Sequence, residues 1–421
     1  MINLGTEMIA RNSILPCQAN EEEVKFGFDE LFFSRTDSRG KIKSGNTVFQ
    51  RVSQYSWDEL LGKPHNTIRH QDMPRGVFWL LWDQIRKGLP IGAYVKNSSK
   101  NGQYYWVYAI VTPIENGYLS VRLKPSSAVF EGAQEQYQAL LQAESDGDLT
   151  PAKSAEILLA SLNRLGFRNY QSFMTQGLIS EILARDRMLS VETLSTVRFF
   201  HELLLESGKL LETATRVTET YHSFRFVPLN LIIQAGQLGN TGAAIGTISN
   251  NYSLLAEEIR LGLDGFFEAA KKVSDTICEG AFLLSTSIIQ QEIAEVFAGE
   301  AKTSEIDHAC EMAHLDRQRG LYAARAVENL VNIQRELEEF ARGAAEIKRL
   351  TLGLAAIRIM GKVEAGRLAN SVLNDLITDL ETFQQTLSTG MTEILSLNSA
   401  LWQHTGQLLD AYGDDTKVAA A

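Results

Sequence analysis

The fold of the N-terminal part is decided by residues 45–114, which read GNTVFQRVSQYSWDELLGKPHNTIRHQDMPRGVFWLLWDQIRKGLPIGAYVKNSSKNGQYYWVYAIVTPI. Two runs, 91–99 and 103–114, are rich in Tyr, Val and Ile, which favours β-strands. Asn101-Gly102 lies between them, and this dipeptide strongly indicates a tight hairpin turn. Residues 73–88 instead carry apolar side chains at helical spacing. The stretch therefore predicts a helix followed by an antiparallel hairpin.

The flanking sequence extends this pattern to five strands. Downstream, Asn116-Gly117 introduces a third run at 117–124. Upstream, the strand-like run 31–36 ends in a polar turn and is followed by a short partner at 41–44. This order predicts an α+β domain over residues 26–126, in which helices pack on a five-stranded antiparallel sheet and a ligand can lie between them.

The same stretch resembles the PAS domains of bacterial aerotaxis receptors. The likeness is carried by four motifs: GKPHN at 62–66, RHQDMP at 69–74, VKN at 95–97 and KNG at 100–102. The resemblance implies that the domain binds FAD non-covalently and that the flavin reports redox state. The family's cofactor-binding positions fall on residues of matching type, namely Asn46, Arg69, His70, Asp72, Trp82 and Asn97.

The residue types are compatible with a flavin site, because an isoalloxazine ring needs an apolar slot, aromatic neighbours and a few polar groups. Aromatic surface is available from Trp79, Trp82, Tyr105 and Trp106. Arg69 can bind the pyrophosphate or lie near N1 of the ring. Plainer interpretations stay open, since tryptophans at helical spacing often belong to a core and Arg69 can pair with Asp72. Haem is less favoured, because no histidine lies in the strand region.

Composition limits the remaining possibilities. The net charge of −11 argues against a nucleic-acid partner. Three well-separated cysteines, Cys17, Cys278 and Cys310, indicate a reducing compartment rather than a disulfide framework. We find no signal peptide and no run of about 18 apolar residues, so a soluble, cytoplasmic protein without a membrane span is expected. His308, Cys310 and His314 do not complete a ligand set, so no metal site is predicted.

The C-terminal two thirds of the chain read as an all-α region. No proline follows Pro228, which permits long uninterrupted helices. We expect an N-terminal tail (1–25), a helical connector (127–184), two coiled-coil hairpins (185–300 and 310–412) and a C-terminal tail (413–421). Four heptad seams predict an elongated coiled-coil or four-helix bundle. The first seam includes Val197, His201, Leu204 and Leu211, and the second includes Tyr252, Leu255, Ile259 and Phe266. The third includes Ala326, Leu330, Ile333 and Leu337, and the fourth includes Leu373, Leu376, Leu380 and Phe383.

Residues 229–258 resemble the hairpin tip of methyl-accepting chemotaxis receptors, whose charged residues engage one another, the histidine kinase CheA and the coupling protein CheW. Here those charged positions are neutral, at Gln234, Gln237, Asn240, Asn251 and Ser253. The resemblance therefore implies a receptor-like hairpin with weakened contacts to receptor arrays and to CheA and CheW. Residues 368–376 loosely echo 247–255, so the bundle can form from a homodimer or from one chain as a pseudo-dimer.

Two function classes follow. The first is a redox, oxygen or energy sensor of the aerotaxis type, which transmits the state of FAD through the helical bundle. The alternative is a non-enzymatic scaffold or regulator whose degenerate bundle acts on partners outside CheA and CheW control. An enzyme is not expected, because the sequence contains no recognisable kinase, cyclase or phosphodiesterase motif.

Overall fold

The computed structural model describes residues 22–224, 226–368 and 371–418. Cys17 and most of the predicted N-terminal tail lie outside the described residues. The chain divides into two compact units. The first contains the residues up to Val197 together with Cys278–Ala326, and the second contains Arg198–Ile277 and the residues from Val327 onward.

The first unit is built on a five-stranded antiparallel sheet. Its strands have the spatial order β2-β1-β5-β4-β3. Their bounds are Phe32–Asp37 (β1), Ile42–Gly45 (β2), Ile91–Ser98 (β3), Tyr104–Ile114 (β4) and Gly117–Leu123 (β5). Each bound lies within one residue of the predicted run, because the hairpin turns and the alternation are local signals.

Short helices connect β2 to β3 and close one face of the sheet. They are Thr47–Ser53 (α1), Trp57–Leu60 (α2), a 3₁₀ turn at His65–Ile68 and Arg75–Arg86 (α3). Asn46 begins α1 as its N-cap and accepts a hydrogen bond from the Phe49 N–H. The α+β fold class predicted from the sequence is thereby confirmed for this unit.

The opposite face of the sheet is covered by helices from distant parts of the chain. The connector forms Ala128–Asp146 (α4), Pro151–Arg164 (α5) and Tyr170–Leu189 (α6). On β3, the Tyr94 hydroxyl donates to Glu181 of α6 at 2.8 Å. On β1, the Phe33 ring packs edge-on against Phe297, with ring centroids 5.0 Å apart. Sheet residues therefore contact segments more than 80 and more than 250 positions away.

The connector also holds the N-terminus of α3. Glu144 accepts a hydrogen bond from the Arg75 N–H at 2.8 Å, and Ser154 accepts one from the Gly76 N–H at 3.2 Å. A Cβ atom on Gly76 would lie 2.6 Å from the backbone nitrogen of Ala155. Glycine at this position is therefore what lets α3 and α5 approach so closely.

The remaining helices are long. They are Ser195–Phe224 (α7), Val227–Gln237 (α8), Ala243–Ala298 (α9), His308–Leu368 (α10) and Ser371–Val418 (α11). In the second unit, Phe266 of α9 stacks on Phe340 of α10, and Tyr221 of α7 packs against Phe383 of α11. The predicted all-helical bundle is thereby confirmed. Within the described residues, no helix is both long and apolar enough to cross a membrane.

The seam of α10 matches the prediction, whereas that of α7 begins as predicted at the buried Val197 and is shifted by one residue after it. Ala326, Leu330, Ile333 and Leu337 are all buried. On α7, however, the buried residues are Phe200, Leu203 and Leu210 rather than His201, Leu204 and Leu211. At 203–204 and at 210–211 the sequence has adjacent leucines, so either register buries leucine there, and the neighbouring helices decide between them.

Candidate functional site

A cavity lies between the inner face of the sheet and the helices that follow β2. Its volume is about 130 Å³, whereas one buried water needs about 10–15 Å³ on the same scale. Apolar lining comes from α3 and the central strands, and polar lining comes from the strands and the 3₁₀ turn. The residues are Ser34, Thr36, Gly40, Pro64, His65, Asn66, Arg69, Phe78, Leu81, Trp82, Ile85, Val95, Asn97, Ala109, Val111, Tyr118, Ser120 and Arg122.

Three of the six predicted cofactor-binding residues line this cavity. Trp82 projects from α3, Asn97 from β3, and Arg69 from the end of the 3₁₀ turn. The Arg69 guanidinium donates to the Met73 carbonyl at 2.9 Å and lies 4.1 Å from the centre of the Phe78 ring. Burial lowers the pKa of Arg69 to about 10, so it remains cationic at neutral pH.

Two buried polar side chains, Asn97 and Ser120, line the cavity. The Ser120 hydroxyl makes no hydrogen bond to any residue that the structure describes. Since a buried polar group without a hydrogen bond is costly, the Ser120 hydroxyl favours a ligand with complementary polar atoms in this cavity.

Asn46, another predicted cofactor-binding residue, lies outside the cavity lining. Besides capping α1, its side chain accepts a hydrogen bond from the Phe33 N–H and donates to the Leu31 carbonyl, each at 3.2 Å. It also donates to Glu300 at 3.1 Å. These contacts join the start of α1 to β1 and to the segment that follows α9, and Asn46 is not part of the cavity lining.

His70 and Asp72 lie beside the lining rather than in it. His70 is buried, its ring packs edge-on against Tyr104, and its Nδ1 accepts a hydrogen bond from the Asp72 N–H at 3.1 Å. Burial, with a smaller contribution from Lys96, lowers the pKa of His70. The Asp72 carboxylate is half-exposed and pairs with Lys96 at 2.9 Å. The alternative interpretation, an ion pair between Asp72 and Arg69, is not observed among the described ion pairs.

The aromatic residues divide between the two faces of the sheet. Trp82 lines the cavity and packs edge-on against Tyr118. Trp106 lies on the opposite face, where it contacts Phe130 and Tyr137 of α4. Tyr105 is buried beside Phe32. Of the four aromatic residues named from the sequence, Trp82 is therefore the one in the described lining, and Trp106 is excluded because successive strand residues point to opposite faces.

Two lining residues, Arg122 and His65, were not identified from the sequence. Arg122 of β5 is 3% exposed and donates to His65 Nε2 at 2.8 Å and to the Ser34 hydroxyl at 2.9 Å. Because arginine can only donate, His65 Nε2 must accept, so the neutral ring carries its proton on Nδ1. The available signal was the alternation of β5, which places Tyr118, Ser120 and Arg122 on one face.

Burial, together with the charge of Arg122, lowers the pKa of His65 to about 3. We expect stability to be lost as the pH falls from about 6.5, the ordinary value, towards 3, because the unfolded chain then binds a proton that the folded chain resists. His65→Asn should remove this contribution. The difference in melting temperature between the wild type and His65→Asn should therefore shrink between pH 7.5 and pH 4. The exposed His222, changed to Asn, is the control, and a difference independent of pH would contradict the assignment.

Comparison with known proteins supports the identity of this domain. Residues 43–121 match the family model described as the PAS fold. The aerotaxis receptor of Escherichia coli (strain K12) is 38% identical over 117 residues, which are 27% of this chain and 23% of that protein. The chain thus matches about a quarter of the length of this relative. The domain built on the five-stranded sheet is a PAS domain of the type found in that receptor.

Solved structures with a similar domain include light-responsive proteins. The light state of the photoreceptor Aureochrome1 LOV is 21% identical, with a TM-score of 0.22, and the match covers 27% of this chain and 91% of that one. The LOV domain of the blue-light-activated histidine kinase EL346 from Erythrobacter litoralis is 16% identical, with a TM-score of 0.20, over 22% of this chain and 90% of that one.

Proposed function

We propose that this protein is a non-enzymatic redox sensor that binds FAD in the PAS cavity and passes the state of the flavin to its helices. The observation that carries the proposal is a cavity lined by Trp82, Arg69 and Asn97, in which the buried Ser120 hydroxyl has no partner among the described residues. The likeness to an aerotaxis receptor supports the choice of flavin among possible ligands.

The residues present fit a flavin. Phe78, Leu81, Trp82, Ile85 and Val95 form an apolar wall suited to the ring. Asn97 can donate and accept at a heterocyclic edge, and the Ser120 hydroxyl can do the same. Among the described lining residues there are two arginines and no aspartate or glutamate, which suits a ligand that carries phosphates. When bound, the flavin would supply reversible electron transfer, and the protein would bind and orient it.

One route for transmission runs through β3. Asn97 faces the cavity, whereas Tyr94 on the same strand faces the helices and donates to Glu181. Glu181 also accepts the N–H groups of Ser126 and Ser127, and Ser127 is the N-cap of α4. A displacement of β3 at Asn97 would therefore reach the first turn of the helix that leaves the PAS domain.

A second route runs through α3. Phe78 and Trp82 on this helix contact the cavity, and the N-terminus of the same helix is held by Glu144 and Ser154 of the connector. Contact between the ligand and α3 can therefore bias how tightly the connector is held. A coupling of about 1–3 kcal/mol would suffice for a measurable response.

We expect the purified full chain to bind FAD and to show the two-band absorption of an oxidised flavin, which dithionite bleaches. Asn97→Ala should weaken FAD binding about 3- to 10-fold, because one hydrogen bond contributes about 1 kcal/mol. Asn163→Ala, on the exposed face of α5, is the matched control and should leave the affinity unchanged. A folded protein that binds no flavin after reconstitution would refute the proposal.

The purified, FAD-bound full chain also tests whether the state of the flavin is passed to the helices. Amide hydrogen exchange in α4 and α5 should differ between the oxidised and reduced holoprotein, because both routes end there. Equal exchange in the two states would show that any bound flavin is structural only.

The output partner is a separate part of the proposal. The bundle of the second unit is assembled from helices of one chain, and the residues that match charged receptor-tip positions are neutral. We therefore propose that the protein acts through a partner other than CheA and CheW, or modulates arrays built by other receptors. Strong redox-dependent activation of CheA by the purified protein together with CheW would contradict this.

A further inference from the structure

Arg122 is the most deeply buried cation of the cavity. Its guanidinium makes three hydrogen bonds to described residues, to Ser34, His65 and the Ser120 carbonyl, the last at 3.4 Å. Arginine carries five N–H groups, so two are free for a ligand. The Phe49 and Phe32 rings lie 5.5 and 5.7 Å from its central carbon and separate it from solvent on that side.

The charge of Arg122 is not balanced by the protein. None of the described carboxylates forms an ion pair with it, and the cavity lining contains no acidic residue. Burial lowers the pKa of Arg122 only to about 10, so the group stays charged at neutral pH. A buried charge without a counter-charge is costly, so the site favours a ligand that brings negative charge or several carbonyl oxygens.

Arg69 is less buried than Arg122, and its guanidinium is already held by neighbouring residues. It is half-buried, and the backbone carbonyl of Met73 and the face of Phe78 already hold its guanidinium. Arginine pairs with phosphate through charge-assisted, often bidentate hydrogen bonds, and the half-buried Arg69 can make them while the phosphates keep part of their hydration. A planar heterocyclic edge loses less on burial, which suits Arg122.

We propose that Arg122 binds the carbonyl-bearing pyrimidine edge of the flavin ring, that the unpartnered Ser120 hydroxyl assists it, and that Arg69 serves the phosphates. The assignment rests on the proposed FAD-binding function. The pyrimidine edge gains negative charge when the ring is reduced. Arg122 therefore favours the reduced form and raises the midpoint potential, whereas Arg69 leaves that potential unchanged.

The test compares FAD with riboflavin, which has the ring without phosphates, on the full chain. Arg122→Gln should weaken the binding of both ligands by a similar factor of about 10 to 100, as expected for hydrogen bonds to a charged group. It should also lower the midpoint potential of bound FAD, and Arg122→Lys should restore part of the potential. Arg69→Gln should weaken FAD about 10-fold or more while riboflavin binding stays within about 3-fold.

The measurements distinguish a wrong assignment of Arg122 from a failure of the protein to bind flavin. If Arg122→Gln weakens FAD but not riboflavin, or leaves the potential unchanged, the assignment is overturned while the proposed function stands. If the wild type binds neither ligand, both fall. Circular dichroism shows whether Arg122→Gln folds. If the variant does not fold, the assignment is tested on the wild type with a changed ligand. The wild type should bind 1-deazariboflavin, which lacks the ring nitrogen N1, about 10-fold more weakly than riboflavin. Equal affinities would overturn the assignment.

Discussion

Replacing Arg35 by alanine is expected to lower the free energy of unfolding of the first unit by about 3–5 kcal/mol. Arg35 lies on β1 and donates to both oxygens of Glu311 in the first turn of α10, from Nε at 3.0 and 2.8 Å and from Nη2 at 2.6 Å. The Glu311 side chain is only 2% exposed, so removal of Arg35 leaves a buried carboxylate without its partner. Urea unfolding followed by tryptophan fluorescence measures the change, since four of the five tryptophans lie in this unit.

Replacing Glu311 instead of Arg35, and replacing both residues together, separates the contribution of charge from that of packing. Glu311→Ala should cost less, because the Arg35 side chain is 21% exposed and can be hydrated in part. The double variant Arg35→Met with Glu311→Leu should recover most of the loss, because an apolar pair removes both charges. Arg317, paired with Glu115 at 3.7 Å with both side chains more than 70% exposed, is the matched control. Its replacement by alanine should cost at most about 1 kcal/mol, and an equal loss for Arg35→Ala would contradict the prediction.

Phe297→Ala is expected to destabilise the same unit by about 3–5 kcal/mol, the usual cost of deleting a buried aromatic side chain. Phe297 is 1% exposed at the end of α9. One side of its ring meets the edge of Phe33 on the sheet, and its face stacks on His308 with centroids 4.4 Å apart. Alanine would leave a cavity between the sheet and the helices that cover it. The loss should appear as a lower urea midpoint with little change in slope.

The control lies one residue away. Val296 on the same helix is 38% exposed, and Val296→Ala should change stability by about 0.5 kcal/mol or less. Phe297→Leu fills part of the space and should cost clearly less than alanine. If Phe297→Ala and Val296→Ala destabilise the protein equally, the outer face of the sheet is not held by this contact.

The strands of the PAS domain could be predicted closely because their signals are local. Asn101-Gly102 and Asn116-Gly117 mark the turns, and the alternation between them marks the faces. The seam of α10 was also predictable, since each buried position there has a polar residue on at least one side. On α7 the sequence is ambiguous, because Leu203, Leu204 and Leu205 are equally apolar, and contact with the other helices selects Leu203.

The candidate site was predictable only in part. The motif resemblance identified Arg69, Trp82 and Asn97, which the fold brings to one cavity from three elements. It did not identify Arg122 or His65, because the meaning of a buried arginine depends on which side chains surround it. Ser34, His65 and Arg122 are up to 88 positions apart, and they meet only when β1 and β5 pair.

The sequence alone determined the order of helices and strands, the PAS class of the first domain and the helical character of the rest. These follow from turn chemistry, side-chain alternation and the absence of proline, which act over a few residues. Only the tertiary structure decided which face of the sheet holds the cavity and which face the helices cover. The pairs Phe33–Phe297 and Arg35–Glu311 join residues more than 260 positions apart. Such contacts depend on burial and charge pairing between complete elements, and no local pattern contains them.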